Sequence, residues 1–144
     1  MPDIEVRHCL VCEDIRQEIL GKLSINGLFG IAPDINVNLQ EINKSINSLV
    51  IGFYVSGSPG TYTTTFSLKQ PSGELLVDNL PLADITISDN PDTKLLIGVE
   101  LSGIVLPVVG DYVMELAVDG DIFYTTTLKV GISDPGLFTA PNAS

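Results

Sequence analysis

Residues able to do chemistry are few in this chain, and they gather near its start. The run His8-Cys9-Leu10-Val11-Cys12-Glu13-Asp14 sets a histidine, two cysteines and two carboxylates close together. Those are suitable ligand types for zinc or iron. A structural zinc site, however, joins such a Cys-x-x-Cys pair to a second ligand pair, and the chain has 2 cysteines and 1 histidine in all. On a strand, positions 9 and 12 point to opposite faces, roughly 10 Å apart along the backbone. That spacing disfavours a shared metal and, unless the strand bends, a disulfide. Cys9 and Cys12 are therefore expected as small packed residues and His8 as a hydrogen-bonded residue at the core edge.

Asp14, Arg16, Glu18 and Lys22 form the second constellation. An arginine between acids can orient an anionic ligand or grip a partner's carboxylate at two points. The same residues can equally pin a connection to the fold, and two carboxylates with one arginine are too few to claim acid–base catalysis. Acidic loops supply the third set: Asp78-Asn79, Asp84, Asp89-Asn90 with Asp92, and Asp119 with Asp121. Loops of this kind can converge to offer calcium its six to eight oxygens. Asp, Asn and Gly are also the ordinary residues of turns, which is the expected reading here. No nucleophile elbow, phosphate-cradling glycine loop or Ser-His-Asp set is visible, so neither an enzyme nor a cofactor is expected. The threonines at 61, 63, 65 and 125–127 read as a solvated β face.

The elements that position these groups follow from composition and periodicity. At 144 residues and 15.4 kDa, with 44% hydrophobic residues and a mean hydropathy of +0.34, the chain is long and apolar enough for one core. Its net charge of −11 and pI near 4.1 describe a field that repels phosphate backbones and anionic lipid surfaces. From that field, no nucleic-acid and no membrane partner is expected, whereas a basic partner or a divalent cation is compatible. The N-terminus lacks a basic region followed by an apolar run. The longest apolar stretch, Leu95 to Val109, is interrupted by Glu100, Ser102 and Pro107. Cytoplasm is the expected location.

Strand period dominates the chain. Ile4 to Cys12 alternates, and Leu23, Ile25 and Phe29 share a face that Gly27 interrupts. Ile35, Val37 and Leu39 make another row. Leu49, Ile51, Phe53 and Val55 continue the pattern, followed by Tyr62, Thr64, Phe66 and Leu68 after the turn Gly57 to Gly60. Short strands at Glu74 to Val77 and Ala83 to Ser88 lead to Leu95, Ile97, Val99 and Leu101. Residues 13–21, with Ile15 and Ile19 four apart, read as a short helical turn or wide loop. The last hairpin, around Asp119-Gly120, is expected to use a bulged turn. Leu116 would then face Ile122, Met114 face Tyr124 and Tyr112 face Thr126, because that register gives one continuous apolar row. Val50, Phe123 and Phe138 are candidate exposed apolar positions.

Eight or nine short, mostly antiparallel strands with frequent turn signals predict an all-β single-domain sandwich over residues 1–130, with 131–144 as an extended, partly disordered tail. A small β-barrel is the alternative. The run Pro107-x-x-Gly110-x-Tyr112 before the final hairpin looks like the late strands of an immunoglobulin-like sandwich, although the tryptophan and cysteine pair of antibody domains are missing. Cys12, Glu13, Asp14, Arg16, Glu18, Gly21, Lys22, Ser24, Gly27 and Phe29 match the pattern C-[ED]-D-x-R-x-E-x-x-G-K-x-S-x-x-G-x-[FY]. In this the chain resembles a bacterial family of uncharacterised proteins, a domain of unknown function. The resemblance implies a compact β domain and carries no catalytic assignment. The function expected is a non-enzymatic module acting through protein–protein contact or as a homo-oligomer. Binding of a cation or small anion is the alternative, and an unrecognised enzyme using His8, Asp14, Arg16 and Glu18 comes third.

Overall fold

A computed structural model describes residues 4–17, 22–39, 45–89 and 95–132. Glu18, Asp92, Phe138 and the tail from residue 133 lie outside these residues. In chain order the strands are β1 (Ile4–Cys12), β2 (Asp14–Gln17), β3 (Leu23–Asn26), β4 (Gly30–Ile31) and β5 (Asp34–Leu39). Next come β6 (Ser45–Gly57), β7 (Gly60–Tyr62), β8 (Thr64–Lys69), β9 (Leu75–Pro81) and β10 (Ile85–Ile87). The last three are β11 (Leu95–Val105), β12 (Gly110–Val118) and β13 (Asp121–Ile132). The described chain is all-β, as the alternation predicts.

Nine strands form one sheet in the order β11-β6-β1-β4-β5-β13-β12-β8-β9, while β10 pairs with β7 and β2 with β3. Every pairing among the described strands is antiparallel except that of β5 with β13. The sheet curls until its two ends share a core. Phe53 on β6 lies 6.2 Å from Phe66 on β8 and 6.1 Å, edge to face, from Tyr124 on β13 (ring centroids). Around them Leu49, Ile51, Leu68, Tyr112, Met114, Leu116 and Leu128 are buried, each on the face its alternation assigns. In β1 a register shift between Val6 and His8 breaks the alternation, so Cys9 and Val11 join Ile4 in the core while His8 is exposed. Burying each large apolar side chain contributes about 1.5–3 kcal/mol, so this curl is the main source of stability.

Three expectations are corrected. The helical turn near residues 13–21 is extended wherever it is described. Asp14–Gln17 pairs with Leu23–Asn26, setting Ile15 opposite Ile25, and the Glu13 amide donates to the carbonyls of Asn26 and Gly27. An isolated helical turn satisfies few of its own backbone groups, whereas the hairpin pairs them. Gly27 closes the hairpin at φ 65°, where a Cβ would stand 2.6 Å from the Glu13 side chain.

The last hairpin uses a two-residue Asp119-Gly120 turn, with φ 50° and 89°, and places its extra residue at Phe123 instead of in the turn. Leu116 therefore faces Tyr124, Met114 faces Thr126 and Tyr112 faces Leu128. This register differs from the expected one by two residues, so the same side chains still reach the core. Finally, Val50 is buried and Phe123 half-buried against the core. Strand β13 runs to Ile132.

Candidate functional site

Strand β1 delivers the histidine and both cysteines. Cys9 faces the core opposite Phe53, and burial pushes its thiol up to about 12. Cys12, three residues on, faces the other way. It lies buried where the chain leaves β1 for the hairpin, and its Sγ donates to the Asp14 carbonyl at 3.5 Å. Burial raises its pKa too. Both thiols are therefore held protonated at neutral pH, and a protonated thiol is a poor nucleophile and metal ligand. The His8 ring stacks on Tyr54, 6.2 Å between centroids.

The polar constellation resolves into a surface pair on β2. Arg16 Nε donates to Asp14 Oδ2 at 2.8 Å, because residues two apart on a strand share a face. Their side chains are 71% and 46% exposed. Lys22 is exposed just before β3. Among the described residues no three His, Cys, Asp or Glu side chains gather around a common point, and Asn90 and Asp92 lie outside those residues. Asp119 instead accepts a hydrogen bond from the Thr63 amide at 2.9 Å and donates its own amide to the Thr63 carbonyl, tying the last hairpin to the β7–β8 junction. Asp89 and Asp121 are exposed.

Behind the Asp14–Arg16 pair lies the apolar side of the hairpin. Ile15 and Ile25 are directly opposed and so share a face, and Leu23 joins them two residues along. Ile15 rests on Gly52 of β6, where the Leu10 and Leu96 side chains also converge. A Cβ at position 52 would stand 3.0 Å from Ile15 Cδ1, a tight approach that a side chain there could keep only if Ile15 gave way slightly. Leu23 and Ile25 remain 42% and 40% exposed, and Leu28 beyond them 51%. The hairpin is thus a flap whose apolar underside is only partly covered.

Next to this face, at the β11 edge, lies a cleft of about 580 Å³ lined by Leu80 to Thr86 and Leu95 to Glu100. Alternation in β11 identified its core row but not the cleft. The visible signal was Gly98, a glycine in mid-strand. Among the described residues, no helix is long and apolar enough to cross a membrane.

No protein-family model and no curated protein matches the chain. Among solved structures it is similar to the Pseudomonas fluorescens alkylpurine DNA glycosylase AlkC bound to DNA containing an abasic site analog, with a TM-score of 0.56 and 12% identity. The match covers 90% of this chain and 31% of that one, so the chain spans under a third of that neighbour's length. At this identity the likeness is one of fold.

The neighbour nevertheless corrects one expectation. The acidic charge led to the exclusion of nucleic acid, yet this fold occurs within a protein bound to DNA. Net charge describes the far field of an isolated chain. It does not forbid a β domain from sitting beside DNA when other parts of an assembly supply the cationic contacts.

Proposed function

We propose that the chain is an immunoglobulin-like module that works by contact with another protein rather than by chemistry of its own. The strand arrangement supports the immunoglobulin-like reading: in the curled sheet β4 and β5 link the group β11-β6-β1 to the group β13-β12-β8-β9, and β5 runs parallel to β13. So does the bond from the buried Tyr112 hydroxyl back to Val108, the tyrosine corner of such domains. The proposed setting is the cytoplasm, where two free cysteines stay reduced.

The observation that carries the contact reading is the half-covered apolar underside of the β2–β3 hairpin. Apolar side chains held this open on an ordered scaffold are suited to completion by a partner surface. Affinity capture from the native host with the intact chain and with Leu23→Lys/Ile25→Lys tests it. A partner retained by the first and lost by the second supports the reading; identical retention profiles overturn it.

A second reading is favoured only by the DNA-bound neighbour. The module would sit beside nucleic acid inside a larger assembly. Fluorescence anisotropy with a duplex carrying an abasic-site analogue tests this, and an unchanged signal at micromolar protein removes direct binding.

A further inference from the structure

The two ends of the nine-stranded sheet are finished differently. At one end β9 is blunted: its pairing with β8 slips twice, Asn79 adopts φ 46°, and Pro81 brings no amide proton. Irregularities of this kind keep a sheet edge from recruiting another strand. At the other end β11 pairs with β6 without a slip from Leu95 to Ser102. Its second edge pairs with no strand among the described residues. The sequence of β11 holds neither proline nor lysine, and Glu100 is its one charged residue. Strand β10 passes nearby but pairs with β7 instead.

The cleft beside this edge is chemically mixed. Leu82, Ile85, Ile97 and Val99 give it apolar walls, and the exposed residues Asp84 and Glu100 add two carboxylates. Gly98 lies between Ile97 and Val99 on β11. Its φ is outside the left-handed region, and a Cβ there would meet nothing within 4 Å. Among the described residues neither backbone conformation nor packing calls for glycine at this position, whereas close approach of a second backbone does.

We propose that the β11 edge from Leu95 to Glu100 takes up an extended, basic segment of another protein as an added strand. Main-chain hydrogen bonds to the free edge hold the segment, apolar side chains on one face enter the cleft, and lysines or arginines meet Asp84 and Glu100. A second copy of the chain is the poorer occupant, because it would set a net charge of −11 against another −11. The proposal rests on the contact-module reading but uses a surface other than the hairpin underside.

The test uses the full chain and a capped peptide of about nine residues alternating valine and lysine. A valine/glutamate counterpart and a valine/lysine version N-methylated at alternate amides serve as controls. Fluorescence anisotropy reads affinity, and hydrogen–deuterium exchange reads position. The expected result is binding of the valine/lysine peptide alone, with slowed exchange at alternate amides between residues 95 and 100. Asp84→Lys/Glu100→Lys, two exposed substitutions, should weaken binding about tenfold or more. Leu23→Lys/Ile25→Lys should bind the peptide normally. No binding, equal binding of the valine/glutamate peptide, or protection away from β11 overturns the proposal, as does self-association through this edge. If the hairpin substitutions abolish partner capture while the peptide ignores β11, the contact-module reading stands and the edge assignment falls.

Discussion

The Tyr112 hydroxyl donates to the Val108 carbonyl at 2.7 Å and accepts from the Val108 amide at 3.2 Å, so one buried side chain closes both polar groups of a residue four positions upstream. It pins the approach to β12 against the core. Tyr112→Phe keeps the ring and leaves both backbone groups without this partner, at a cost of about 1–3 kcal/mol. Thermal unfolding should show a drop of several degrees; an unchanged midpoint would mean water replaces the hydroxyl at no cost.

Phe53 joins the two ends of the curled sheet through Phe66 and Tyr124. Phe53→Ala should cost about 3–5 kcal/mol by opening a cavity at that junction. Phe53→Leu, which fills most of the space, should cost distinctly less. Urea unfolding at constant m-value checks both.

Cys9 makes stability depend on alkaline pH. Its thiol is raised from 9.0 to about 12 by burial, so the unfolded chain loses this proton first. The contribution is fully present below pH 9 and is lost as pH rises through 12, up to about 4 kcal/mol in all. Cys9→Ala should flatten the fall between pH 9 and 11 in denaturant titrations. At neutral pH a thiol reagent should label Cys9 only as fast as the protein opens.

The Asp14–Arg16 pair should contribute little to stability. Exposed pairs are screened by solvent, so Arg16→Ala should cost less than about 1 kcal/mol and show salt dependence. Ile15→Ala, which withdraws the flap's contact over Gly52, should cost more, about 1–2 kcal/mol. A double-mutant cycle and a salt series separate the two effects.

Much of the fold was legible because alternation is a local signal. Ile4 to Cys12 forms β1 with those boundaries, and Phe66, Leu68, Met114 and Leu116 are buried on the side their spacing assigns. Residues 13–17 misled because Ile15 and Ile19 are four apart, a spacing that matches a helix. What decides their state is pairing with Leu23–Asn26. In the last hairpin, registers two residues apart bury the same side chains, so alternation cannot distinguish a bulge in the turn from one at Phe123. The cleft was illegible for a different reason. Whether β11 is an edge depends on strand order, and only the unexplained Gly98 hinted at it. Net charge, a whole-chain quantity, could not exclude nucleic acid either.

The most direct test of the contact reading is hydrogen–deuterium exchange of the whole chain, alone and with the partner it captures. Slowed exchange across the flap, Leu23 to Leu28, is the expected result. Unchanged exchange there, with protection only on the outer face of β13 and β12, would contradict it.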